Sequence, residues 1–129
     1  LKTHGRVVVS SWGKPSALTQ WVAGRAEQLG ALKQFRSQRI DSADALRDVL
    51  AVSGFKRIDI QEKKQLFWHA TPEEWWDSLW SHGVRARLEQ LSSADLAVLR
   101  RDALEHVRLT LPEGRVSETM HAIFGMAES

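Results

Sequence analysis

The sequence predicts an α/β chain in which three strands alternate with helices and a long helical stretch precedes the last strand. Three observations carry this. A β-branched run, Val7-Val8-Val9, lies within residues 6–11. Ile58 and Ile60 alternate with Arg57, Asp59 and Gln61, the period of a strand with one wet face. Elsewhere apolar residues recur at helical spacing behind recognisable caps, notably at Thr71-Pro72-Glu73-Glu74.

In chain order, residues 6–11 are the first strand, and the unbroken valines suit burial on both faces, as in a parallel or mixed sheet. Trp12-Gly13-Lys14-Pro15 ends it. Helices occupy 14–53 in two pieces. Over 16–36, Leu18, Trp21, Val22 and Ala26 share a face and Leu29 and Leu32 follow, while Gly24 and Gly30 weaken the pattern. Over 42–53, Asp41 is placed to cap, with Asp44 three residues on. Leu46, Val49, Leu50 and Val52 form the apolar stripe, and Gly54-Phe55 fits a Schellman ending.

The second strand covers 56–68. A helical insertion then fills 70–110. Thr71 is its cap, Pro72 stands at N1 where no donor is needed, and Glu74 closes the box. Its first helix, 72–82, turns Trp75, Trp76, Leu79 and Trp80 inward, and a short piece, 84–91, groups Val84, Leu88 and Leu91. Ser92 or Ser93 caps the third, 94–110, with Leu96, Leu99, Ala103 and Val107 on one face. Pro112-Glu113-Gly114 turns the chain into a closing strand, 116–127, with Met120, Ala122 and Phe124 on one side and Ile123 on the other. Three strands are few for 129 residues. They fit either an α+β domain or a piece of a larger α/β sheet.

Composition narrows the function. The chain has no Cys, so thiolate metal sites, thiol nucleophiles and disulfides are excluded. Eighteen Lys and Arg against sixteen Asp and Glu leave a formal charge of only +2, and no basic run reaches the length of a nucleic-acid or membrane patch. The longest apolar runs are far short of a membrane span, so neither membrane nor nucleic acid is expected as a partner. His69, His82, His106 and His121 stand without metal-ligand spacing, and no metal is expected. The glycines at 5, 13, 24, 30, 54, 83, 114 and 125 include no Gly-x-Gly pair to let a phosphate or nucleoside approach the backbone.

Gly5-Arg6-Val7-Val8-Val9-Ser10-Ser11-Trp12-Gly13 resembles the fifth strand of class I S-adenosylmethionine-dependent methyltransferases, in the ubiquinone/menaquinone-biosynthesis-like branch. Asp41-Ser42-Ala43-Asp44-Ala45-Leu46 through Ala51-Val52-Ser53-Gly54-Phe55 is similar to that family's last crossover helix. Residues 56–68 resemble its sixth strand, Thr71-Pro72-Glu73-Glu74-Trp75-Trp76 its helical insertion, and Gly114-Arg115-Val116 onward its seventh strand. The resemblance runs the length of the chain and corresponds to the C-terminal half of the family's domain.

The resemblance implies a partial Rossmann-like sheet, in the order 6–11, 116–127, 56–68, with the middle strand antiparallel. It implies a cytoplasmic enzyme that methylates a small molecule. The cofactor, S-adenosylmethionine, would be bound mainly by residues absent from this chain, since the family's glycine-rich loop and acidic strand end lie upstream. Residues 1–129 alone are then expected to be inactive. Strand 6–11 would lack a neighbour, and its free edge predicts self-association or pairing with a separate N-terminal half.

Ligands of open α/β sheets bind beyond the carboxyl ends of the parallel strands. On that rule, and with the strand ends and the insertion placed as the resemblance implies, Trp12, Trp68, His69, Trp75, Trp76 and Trp80 are candidates for an aromatic substrate wall, with His69 a general base or an orienting hydrogen bond. The catalytic residue is not identified. The competing reading makes the tryptophans packing between helices and sheet, and His69 a surface residue near a helix start. A rival for the whole chain is a self-contained α+β module that binds a small ligand or a partner without catalysis.

Overall fold

The computed structural model describes residues 4–32 and 40–129. In chain order these form β1 (Arg6–Trp12), α1 (Ala17–Gln28), α2 (Ala43–Val52), β2 (Arg57–His69), α3 (Pro72–Ser78), a 3-10 turn (Leu79–Ser81), α4 (Arg85–Leu88), α5 (Ser93–Thr110) and β3 (Val116–Glu128). The strands make one antiparallel sheet in the order β1-β3-β2. Its register on one side runs from Arg6 opposite Glu128 to Trp12 opposite Ala122. The order and the antiparallel middle strand are those that the resemblance implies.

Local chemistry sets the helix ends. Ser16, Ser42, Thr71 and Ser92 each accept a hydrogen bond from the N–H three residues on, so α1, α2, α3 and α5 all begin at a side-chain cap. The cap of α2 is Ser42 rather than the expected Asp41: the Ser42 oxygen takes the Ala45 N–H, which leaves Asp44 in the first turn beside the positive end of the helix dipole. The Glu74 carboxylate accepts from Ala70 N–H, one residue before the cap, so the expected capping box is present in shifted form. α2 closes in a full Schellman motif, with Gly54 N–H donating to Ala51 O and Phe55 N–H to Leu50 O, and Gly54 adopts the positive φ of 91° that the motif needs. α1 closes the same way, Gly30 N–H to Glu27 O and Ala31 N–H to Ala26 O. The expected helix over 16–36 therefore stops at Gln28, and its last residues, 33–36, lie outside the described residues. The expected 72–82 helix is shortened too, to Ser78, and continues as the 3-10 turn.

The chain divides into two compact units. One is drawn from Leu1–Pro15, Arg36–Gln65 and Thr119–Ser129, the other from Ser16–Phe35 and Leu66–Glu118. In the first, Leu46 and Leu50 of α2 pack with Ile123 and Ala127 of β3, and Val7, Val9, Phe55, Ile58 and Ile60 surround them. The expectation that β1 is buried on both faces is not met. Val7 and Val9 face α2, but Val8 is 68% exposed and Trp12 also lies open. Among the described residues of this unit one helix covers one face, so the alternate residues of β1 remain in water.

Gly13 follows β1 and donates its N–H to His121 O. The His121 ring lies close against it: a Cβ on residue 13 would come within 2.0 Å of Nδ1 and 2.4 Å of Cγ. Because Cγ is fixed close to the backbone, the ring cannot evade a methyl group by a small tilt. Gly13→Ala is expected to cost about 2 kcal/mol, the usual scale of an overpacked site. A urea midpoint that stays at the wild-type value would contradict this.

In the second unit, Trp75, Trp76, Leu79, Leu88, Leu99, Ala103 and Val107 form the centre of a larger core together with Leu18, Val22 and Ala26 of α1. The Trp21 ring stacks on His106 at 4.3 Å with the planes 7° apart, joining α1 to α5. Arg25 adds a forked ion pair to Asp102, with Nη2 at 2.9 Å and Nε at 3.2 Å from one carboxylate oxygen. The Arg25 hydrogen bonds hold the Asp102 carboxyl below the usual carboxylate range, with Arg101 contributing. A lowered folded-state pKa means the carboxylate stabilises the fold fully above the ordinary Asp range, and that contribution is lost as acid carries the pH through the lowered value. Arg25→Met is expected to move the Asp102 titration upward, which carboxyl carbon NMR reads directly. None of the described helices is long and apolar enough to cross a membrane.

β3 changes its buried side along its length. Val116 and Glu118 are buried in the second unit, whereas Ile123, Gly125 and Ala127 are buried in the first. Met120, Ala122 and Phe124 lie on one side and Ile123 on the other, as expected from the alternation; Phe124 is partly exposed, whereas Ile123 is closed off completely.

Candidate functional site

Among the described residues the second unit contains one buried carboxylate, Glu118, near the start of β3, with its side chain only 4% exposed. Burying a carboxylate is costly unless donors surround it, and here three side chains do. Ser16 Oγ donates to Oε1 at 2.6 Å, and Thr19 Oγ1 approaches the same oxygen at 3.4 Å. His69 Nε2 lies 3.1 Å from Oε2. Ser16 has two tasks, since the oxygen that donates to Glu118 also caps α1 by accepting from Thr19 N–H. His69 is the last residue of β2, two positions before the Thr71 cap of α3, so a strand end and a helix start fix the backbone on both sides of it.

The arrangement dictates the histidine's tautomer. An ionised carboxylate only accepts, so Nε2 must carry the proton that faces Glu118, and in the neutral ring the lone pair is then on Nδ1. Nδ1 has no hydrogen-bond partner among the described residues. The His69 side chain is 19% exposed. A carboxylate that orients an imidazole through one nitrogen, with the other left open, is the arrangement by which hydrolases and metal sites make histidine a directed base or ligand.

The remaining sequence candidates are distributed as follows. Trp75 and Trp76 are buried in the core of the second unit, and Trp80 is partly buried against it. Trp68 is 56% exposed, with the Arg115 guanidinium 4.8 Å from its ring centre. Trp12 belongs to the first unit and lies on the open face of β1. Of the six candidates, His69 alone makes a charged or polar contact that buries a partner. In the first unit a surface groove of about 540 Å³ is lined by Arg6, Val8, Arg57, Ile58, Met126 and Glu128, among others, at the beginnings of β1 and β2. That end of the strands is opposite to the one expected to hold ligand. Glu128 there bridges Arg6 at 2.8 Å and Arg57 at 3.5 Å, an exposed ion pair of small energetic weight.

Ser16, Thr19 and Glu118 were not singled out from the sequence. Ser16 carried a usable signal, a serine directly after Pro15 and before a helical stretch, which is an N-cap pattern. Glu118 carried none, because a glutamate in an alternating strand reads as its wet side. Among the described residues no group of three His, Asp or Glu side chains could hold a metal ion. No protein-family model matches this chain, and no curated protein matches it.

Proposed function

We propose that this chain is the substrate-side half of a cytoplasmic S-adenosylmethionine-dependent methyltransferase acting on a small molecule. The observation that carries the reading is the sheet: β1-β3-β2 with β3 antiparallel between two strands of the other sense. Among the described residues β1 is an edge strand that carries apolar residues, which supports a joint with another strand there, from an N-terminal half of the domain. The residues of this chain do not fit the cofactor. They offer no paired glycines, and the open space beside Gly13 is filled by the His121 ring. The methyl donor is therefore assigned to residues outside this chain, and the present residues to binding and orienting the methyl acceptor.

Calorimetric titration with S-adenosylmethionine tests the reading on two samples, residues 1–129 alone and the product of the whole reading frame. Binding is expected only for the latter. Tight binding by residues 1–129, or neither binding nor methyl transfer by the whole product, overturns it. The four side-chain caps and two hydrophobic clusters favour a second reading, a self-contained α+β module that binds a small ligand without catalysis. Light scattering separates the two: a clean monomer of residues 1–129, with no second polypeptide, supports the module.

A further inference from the structure

We propose that His69 is a proton acceptor for a small molecule that carries an acidic hydroxyl, a phenol or an enol, and that Glu118 is its positioning residue. The division of labour follows from exposure and valence. Glu118 is closed off, and both of its oxygens are already engaged, Oε1 by Ser16 and Thr19 and Oε2 by His69. Closed off from solvent, it lacks the access to meet a ligand. His69 retains open surface and an Nδ1 without a protein partner among the described residues.

The ligand class follows from that single open atom. With Nε2–H committed to Glu118, Nδ1 presents one lone pair, so it selects a donor and not an acceptor. A neutral imidazole takes a proton from a phenol or enol hydroxyl at far smaller cost than from an aliphatic alcohol, whose acidity is many orders of magnitude lower. In the transfer the ligand O–H bond breaks, an N–H bond forms at Nδ1, and the electron pair stays on the ligand oxygen. The charge that appears on the ring is met by the Glu118 carboxylate 3.1 Å from Nε2. A purely structural role for the cluster would need Glu118, Ser16 and Thr19 but gives no reason for the fourth group to be a histidine with one nitrogen left open. The inference rests on the methyl-acceptor reading for the identity of the ligand, whereas the proton-accepting geometry stands without it.

The test is acylation by diethyl pyrocarbonate at mildly alkaline pH, located by peptide mass spectrometry in the product of the whole reading frame. His4, which is exposed, is the internal reference. His69 is expected to be acylated, and roughly tenfold more slowly in Glu118→Gln, the scale of one charge-assisted hydrogen bond. Ser16→Ala, which takes a donor from Glu118 but leaves its bond to His69, is expected to label at the wild-type rate. The phenol probe 4-nitrophenol is expected to slow labelling at His69 and not at His4. Failure of His69 to react while His4 does, equal rates in wild type and Glu118→Gln, equal slowing in Ser16→Ala, or absence of protection each overturns the proposal. No methyl donor is present in any of these samples, so the outcome is independent of whether the methyltransferase reading survives.

Discussion

Trp75→Ala is expected to destabilise the protein by about 3 kcal/mol, read as a lowered urea midpoint in far-UV circular dichroism. Trp75 is 0% exposed and sits among Leu79, Leu99, Ala103 and Val107 in the core of its unit. The indole fills a space that neighbouring helices cannot close, so the loss combines transfer and cavity terms. The expected value falls at the low end of the usual range because Trp75 Nε1 is buried with no hydrogen-bond partner among the described residues. Removing that group recovers part of a desolvation cost already present in the wild type. Trp75→Phe, which keeps much of the ring and removes the orphan N–H, is expected to cost no more than about 1 kcal/mol. Trp68→Ala, on a half-exposed ring, is expected to change stability by less than about 0.5 kcal/mol. If the alanine variants at 75 and 68 shift the midpoint equally, the division between core and open tryptophans is wrong.

The tryptophans show how far the sequence carries. Trp75, Trp76 and Trp80 share a broad helix face after a strong start signal, and the helix and its inward side follow from neighbours within a few positions. Caps, the Gly54 ending and the strand order are legible for the same reason, or through the resemblance. What resists is decided at long range. The valines of β1 read as doubly buried, but whether Val8 is covered depends on which elements reach that face, which no local pattern encodes. The buried parity of β3 switches between Glu118 and Ile123, so no single alternation fits the strand. Glu118 is the extreme case: its partners arrive from 102 positions away at Ser16 and 49 at His69. Neither distance leaves a periodic trace. A buried acid becomes tolerable through donors that only the tertiary fold assembles.

Glu118→Ala is expected to cost about 2–3 kcal/mol by the same urea measurement, and the partition of that loss identifies what the cluster is for. The variant removes the acceptor for Ser16 Oγ at 2.6 Å and His69 Nε2 at 3.1 Å, while Thr19 at 3.4 Å contributes little. Hydrogen bonds to an ionised group run about 1.5 kcal/mol or more each, but the deletion also relieves the desolvation of a buried charge, which is why the net falls below 4 kcal/mol. Ser16 retains its capping bond from Thr19 N–H, so α1 is expected to persist. In a double-mutant cycle with His69→Ala, the pair should show a coupling of about 1–2 kcal/mol, and the cycle with Ser16→Ala a similar value. Coupling confined to Ser16 would make Glu118 a tie between α1 and β3, with His69 a bystander. Coupling to His69 makes the carboxylate the group that fixes the ring, and a fold that spends a buried charge on aiming an imidazole toward solvent has directed that imidazole at something beyond its own core.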